Sequence, residues 1–227
     1  MRLSERLNAV KQYVPYGSVV ADIGADRGEL SFALLQEEIA PKVILADISP
    51  RSLERAKTLF AEKPEAERAE FRVGNGLQVL APNEADVAVF AGMGGPTICG
   101  ILENSPEVVS SLKGMILQAM GNSDKVRRTL FSMGFALAGE TFLEEEGQYY
   151  TILYAVPGKQ EADEVEIFAG PLLLKEKNAT LIRYFDEEKM KAQRLLDRLE
   201  AKGEGKTRCE ELRREIALIQ TAEERMK

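Results

Sequence analysis

The 227-residue sequence predicts an α/β fold, with a mostly parallel seven-stranded sheet that ends in an antiparallel hairpin and a C-terminal α-helical hairpin beyond it. Three observations lead there. Short apolar runs alternate with helix-period segments from residue 19 to residue 135, the pattern of a parallel sheet wrapped by helices. Two longer strand-like runs, 136–143 and 148–156, then follow one another across the turn-like Glu144-Glu145-Glu146-Gly147 and read as an antiparallel pair. Past Gly170-Pro171 the composition becomes highly charged, with apolar residues left only at helical spacing.

The elements follow in order. Leu3, Leu7, Val10 and Val14 share one face of an amphipathic first helix, which Pro15-Tyr16-Gly17 ends. Strands are expected at 19–23, 42–47, 70–73, 86–91 and 114–118. The helix after the second strand is the best marked: Ser49 can cap it, and Pro50 falls at the first helical position, where no N–H is needed. In the tail, Leu181, Phe185, Ala192, Leu195 and Leu199 lie near one helical face. Leu212, Ile216 and Ile219 form another after Gly203 and Gly205, with Thr207 and Glu210 as an expected capping box. The expected division is 1–160 for the sheet domain and 161–227 for the helical hairpin.

Composition excludes several classes. An apolar share of 44% and a charged share of 30% suit a water-soluble chain, and no apolar run is long enough for a bilayer. The N-terminus lacks the apolar core of a signal peptide, so the expected location is cytoplasmic. Cys99 and Cys209 match no zinc or redox spacing and are expected to be reduced thiols, with no metal bound. With no histidine at all, triad hydrolysis loses its usual base. The net charge of −7 argues against a non-specific coat on nucleic acid. Its placement is uneven: residues 172–227 hold 14 Lys+Arg and 12 Asp+Glu, against 16 and 25 in residues 1–171.

The most informative motif is Val19–Gly28, a strand entering a turn with Gly24 and Gly28 and then a helix, where backbone can approach a ligand closely. A dinucleotide site wants glycine where this chain has Asp26, because a carboxylate there repels a pyrophosphate. S-adenosyl-L-methionine (SAM) has no phosphate and carries a sulfonium and an ammonium, which Asp22 and Asp26 would face. Asp47, with Ile48 after it, ends the second strand at the position where such folds hold ribose hydroxyls. Asn75 and Gly76 either supply an amide to the adenine ring or form a bare turn. Ala91, Gly92, Met93, Gly94 and Gly95 end the fourth strand beside the topological switch point, and Met93 either meets the ligand or fills the core.

With these residues in place, the chain resembles the bacterial tRNA (adenine-22 N1)-methyltransferases, class I methyltransferases that join a Rossmann-like SAM domain to a C-terminal coiled-coil hairpin. The resemblance rests on Ser4-Glu5-Arg6-Leu7, Val14-Pro15, Ala21-Asp22-Ile23-Gly24, Asn75-Gly76-Leu77, Ala91-Gly92-Met93-Gly94-Gly95, Leu117-Gln118, Tyr149–Leu153 and Phe168–Leu172. It implies SAM as cofactor and tRNA as partner, with Asp26 either orienting the base and stabilising the cationic product or only holding SAM. Arg27, Glu29, Gly94, Gly95, Gln118 and Met120 fall on the implied substrate side. There the sequence departs from the family. Ala25-Asp26-Arg27-Gly28-Glu29-Leu30-Ser31 replaces the usual Ser-Asp-His-Ala-Tyr-Leu-Pro, and Gln118-Ala119-Met120 replaces Gln-Pro-Asn, removing an aromatic and an amide that could engage a flipped base. Three readings stand: a tRNA methyltransferase, a methyltransferase for another substrate, and a SAM-binding protein without catalysis. A dehydrogenase is disfavoured by Asp26. The tail cations Arg183, Lys189, Lys191, Arg194, Arg198, Lys206, Arg208, Arg213 and Arg214 serve either as phosphate contacts or as a solvated helical surface.

Overall fold

Residues 2–227 are described by a computed structural model. The first helix, α1 (Glu5–Gln12), is shorter than the apolar spacing predicts. Ser4 caps it by accepting the Leu7 N–H, and Leu3 and Val14 bury themselves just outside its ends. Five strands then alternate with helices: β1 (Val20–Ile23), α2 (Glu29–Gln36), β2 (Val43–Asp47), α3 (Pro50–Phe60), β3 (Ala69–Val73), β4 (Val87–Met93), α4 (Gly95–Glu103), α5 (Pro106–Ser111) and β5 (Gly114–Ala119). Ser49 caps α3 through the Ser52 N–H, with Pro50 in its first turn. After α6 (Ser123–Ser132), β6 (Phe135–Glu145) and β7 (Gln148–Pro157) form the antiparallel pair. Their turn is tighter than predicted, because only Glu146 and Gly147 lie outside the strands. Both have positive φ (+52° and +76°), the two-residue geometry that matches strand twist.

The sheet order is β3-β2-β1-β4-β5-β7-β6, with the first five strands parallel and β7 antiparallel to both neighbours. This is the Rossmann-like arrangement expected, with its reversal of winding between β1 and β4. Strands β1, β2, β4 and β5 are almost wholly apolar and buried, as a sheet covered on both faces requires. Gly92, at φ +87°, shifts β4 out of register with β5, so Ala91 faces Gln118 while Met93 faces Ala119.

Two short helices absent from the sequence reading, α7 (Glu164–Ala169) and α8 (Pro171–Lys175), join the sheet to the tail. Asp163 and Glu166 cap α7 reciprocally in a capping box. The hairpin itself consists of α9 (Ala179–Lys202) and α10 (Lys206–Arg225). The expected Thr207–Glu210 capping box does not form. Gly205, left-handed at φ +65°, ends the Gly203-Glu204-Gly205 connection and starts α10 at Lys206, which places Thr207 inside the helix. The seam buries Ala192, Leu196, Cys209, Leu212 and Ile216, with Leu195 and Leu199 at its edges. The proximal end packs Leu181, Phe185, Ile219 and Ala222 on Phe142, Val165 and Leu173. Both cysteines are free and buried.

Burial has a charged exception at this junction. Arg127 on α6 and Glu140 on β6 pair at 2.7 Å with side chains 1% and 0% exposed. Arg127 also donates to the carbonyls of Ile167 and Phe168, and Glu140 accepts the N–H groups of Leu172 and Leu173. A Cβ at Gly170 would lie 2.9 Å from both side chains, so this position excludes any larger residue.

Candidate active site at the β1/β4 switch point

Ligands of open α/β sheets bind beyond the carboxyl ends of the strands, where the winding reverses. At that place lies a cavity of about 490 Å³. Of the residues singled out from sequence, Asp22, Gly24, Asp26, Arg27, Glu29, Ala91, Gly92 and Met93 line it, together with Arg6, Leu7, Ala25 and Leu30. Gly24 has φ +75°, and a Cβ there would meet the Met93 methyl at 2.3 Å, so the turn and the end of β4 are closely fitted. Asp26 also holds a left-handed φ of +44°, a conformation aspartate tolerates better than most residues. Between Gly24 and Gly28 the turn thus carries a carboxylate where a dinucleotide turn has its middle glycine.

The two aspartates differ in setting. Asp22 is buried, and its carboxylate accepts a 2.7 Å hydrogen bond from the Ser31 hydroxyl. Burial pushes its pKa up to about 6, the Ser31 bond opposes the rise, and the charge of Asp47 adds to it. The Asp26 side chain is 60% exposed, 3.8 Å from Arg55. Asp47 is tied to this turn, accepting the Asp26 N–H at 3.3 Å and the Ser49 N–H at 2.8 Å.

The other sequence candidates stand apart from the cavity lining. Ile48 is 71% exposed beside Asp47. Asn75 faces a separate cavity of about 180 Å³ with Gln78 and Asn104, and Gly76 sits against Ile101. Gly28 caps the start of α2 and packs on β2 and α3, where a Cβ would press on Leu45, Ala56 and Phe60. Gly94 precedes α4, and Gly95 is buried against the carbonyls of Gly121 and Asn122. Gln118 is fully buried and reaches Met120, which is 53% exposed.

Arg6 and Ser31 were not among the sequence candidates. Glu145 accepts the backbone N–H groups of Glu5 and Arg6, which fixes the start of α1 over the site. The Arg6 guanidinium then donates to Gln118 Oε1 at 2.6 Å and lies 5.5 Å from the Tyr150 ring centre. No carboxylate pairs with it among the described residues, although three line the same cavity. Sequence held a trace of this role only in the Ser4–Leu7 motif.

An acid-bearing turn at the switch point and a sheet closed by an antiparallel pair define a class I methyltransferase. The comparisons narrow this. Residues 3–153 match the model described as a methyltransferase domain. The chain is 32% identical over 205 residues to the tRNA (adenine(22)-N(1))-methyltransferase of Bacillus subtilis, covering 88% of this chain and 86% of that protein. The crystal structure of the B. subtilis m1A22 tRNA methyltransferase TrmK superposes with a TM-score of 0.90 at 29% identity, covering 97% and 98% of the two chains. Sp1610 of Streptococcus pneumoniae in complex with S-adenosyl-L-methionine superposes at 0.88 with 25% identity, over 97% and 99%. This chain belongs to the tRNA (adenine-22 N1)-methyltransferase family of methyltransferase-domain proteins.

Proposed function

We propose that the protein transfers the methyl group of SAM to N1 of adenine 22 in tRNA, in the cytoplasm. The observation that carries this reading is end-to-end similarity to the B. subtilis enzyme, hairpin included, around a cavity whose turn presents carboxylates where a dinucleotide site presents bare amides. The donor set fits SAM: Asp22 and Asp26 for the cationic methionine end, Asp47 for the ribose hydroxyls, and Ile48 with the Asn75-Gly76 loop at the adenine side. Of the two cations in the lining, Arg6 and Arg27, Arg6 is held in place by Gln118 and is the one assigned to the methionine carboxylate. SAM supplies an electrophilic methyl, and neutral adenine N1 offers its own lone pair, so no general base precedes transfer. The protein's part is alignment and accommodation of a cationic product, for which Asp26 offers the exposed carboxylate of the cavity lining and Gly94, Gly95, Gln118 and Met120 shape the substrate side.

Residues 1–160 form the SAM domain in this reading, and 161–227 the RNA-facing appendage. Six of the nine tail cations are engaged in ion pairs with carboxylates, but Arg194, Arg198 and Lys206, joined by Lys202, have none among the described residues. Those four remain available for phosphates.

Incubation with labelled SAM and unmodified tRNA tests the reading, with label expected on N1 of adenine 22. SAM binding without transfer to tRNA would favour another substrate. Asp47→Ala is expected to weaken SAM binding at least about tenfold, as loss of a charged hydrogen-bond acceptor does. Unchanged affinity in calorimetry would remove Asp47 from the ribose.

A further inference from the structure

A second cavity, of about 300 Å³, opens between the carboxyl end of β5 and the hairpin and shares no lining residue with the first. Its apolar wall is a ring cluster: Tyr149 and Tyr184 have centroids 4.8 Å apart, and Tyr149 stacks on Phe142 at 5.7 Å. Its polar wall carries Glu188, Glu215 and Asp124; Glu188 already accepts from Lys191 at 2.7 Å through Oε1, which leaves its second oxygen for a ligand. Neither Glu215 nor Asp124 has an ion-pair or hydrogen-bond partner among the described residues. The one cation in the wall, Arg127, is already committed to Glu140 and two carbonyls. Such walls repel phosphate and carboxylate. They accept a flat unsaturated ring that stacks on tyrosine and gives its N–H donors to carboxylates.

We propose that this cavity is a second nucleobase pocket, which receives an unpaired base near the target adenosine by stacking on Tyr184 and Tyr149 and by hydrogen bonding its amino group to Glu215 and Glu188. Its size falls at the lower end of small-molecule sites, enough for one base rather than a nucleotide chain. The Tyr184 hydroxyl, its pKa raised by burial and by Glu188 and Glu215, is protonated at neutral pH as any tyrosine is and can donate to a ring nitrogen. Position favours RNA as the source. Ala119 in its wall is the register partner of Met93, which lines the first cavity, so the two cavities open beside adjacent strand ends. A nucleotide flanking the target can therefore reach both places. Adenine, cytosine and guanine carry an exocyclic amino group; uracil presents a single N–H between two carbonyls, which acidic walls disfavour. The site stands on the cavity alone, whereas its occupation by tRNA rests on the tRNA-methyltransferase reading.

The test uses full-length protein saturated with SAM and ¹³C-labelled at tyrosine, of which the chain has six, titrated with adenosine, guanosine, cytidine and uridine. Saturable shifts of Tyr149 and Tyr184 with the amino-bearing nucleosides, but not with uridine, are expected. Movement confined to Tyr150, or no movement, would overturn the site. In the second arm, Tyr184→Leu and the half-buried Glu215→Gln are compared in methyl transfer to tRNA. A KM for tRNA raised roughly fivefold to a hundredfold, with kcat and thermal unfolding of Glu215→Gln unchanged, assigns the pocket to an RNA base. Nucleoside shifts with an unaltered KM assign it to a free base instead, and unaltered KM with no shifts refutes both.

Discussion

Glu140→Ala is expected to lower the unfolding free energy by about 3–5 kcal/mol, a large share of the 5–15 kcal/mol typical of a domain. The substitution strands a guanidinium: Arg127 stays in place with 1% exposure, held by the carbonyls of Ile167 and Phe168 but without its counter-charge. It also orphans the N–H groups of Leu172 and Leu173 at the start of α8. Three segments meet at this pair: α6, β6 and the α7–α8 connection to the hairpin. The damage should therefore appear first as loosening of the hairpin from the sheet, visible as faster amide exchange in α7 and α8. Replacing both partners by methionine should recover part of the loss, because a buried pair contributes little beyond removal of the penalty for burying either member alone. Urea unfolding checks both. A loss below about 1 kcal/mol in the single variant would show that water reaches Arg127 and that the pair is not the lock described.

That lock marks where the sequence stopped being legible. In the chain, Arg127 stands among Lys125, Val126 and Arg128 and looks like part of a solvated helix face, and Glu140 looks like a strand residue facing water. Only tertiary packing brings the two together. The same holds for α7 and α8, which are too short to show a helical period, although Asp163 and Glu166 carried a readable capping box. Elements defined by local physics were legible: apolar runs gave the strands, Ser49-Pro50 gave the start of α3, and the change in apolar spacing gave the hairpin. Around the site, the turn Asp22–Gly28 was legible because its chemistry is local. Arg6 was not, since it reaches the cavity through Glu145, Gln118 and Tyr150, each more than a hundred residues away. Ser31, a departure from the family's proline, supplies the hydrogen bond that Asp22 receives, a role invisible until α2 is folded against β1.

Asp22 carries the second large expectation, which joins stability to binding with opposite signs. Its folded-state pKa lies near 6 against 3.8 for the free side chain, chiefly because the carboxylate is buried. The folded protein thus holds this proton more tightly than the unfolded chain. The stabilisation from this group is complete below about pH 3.8 and is lost as pH rises through about 6, a change of about 3 kcal/mol at 1.36 kcal/mol per unit. Above pH 6 the free protein therefore contains a buried charge that destabilises it, waiting for a cation. If the methionine ammonium is that cation, it binds the ionised form, so SAM affinity should climb toward tenfold per unit below pH 6 and level off by pH 7. An α-amino group stays largely protonated over this range, so a slope centred near pH 6 reports on Asp22. Asp22→Asn keeps an acceptor for Ser31 but removes the charge. It should raise the melting temperature of the free protein at pH 7, weaken SAM at least about tenfold, and flatten the pH profile. Calorimetric titration at pH 5, 6 and 7, with thermal unfolding of both proteins, gives all three readings. A variant that is less stable and retains the wild-type slope would place the proton elsewhere and free Asp22 from the methionine end.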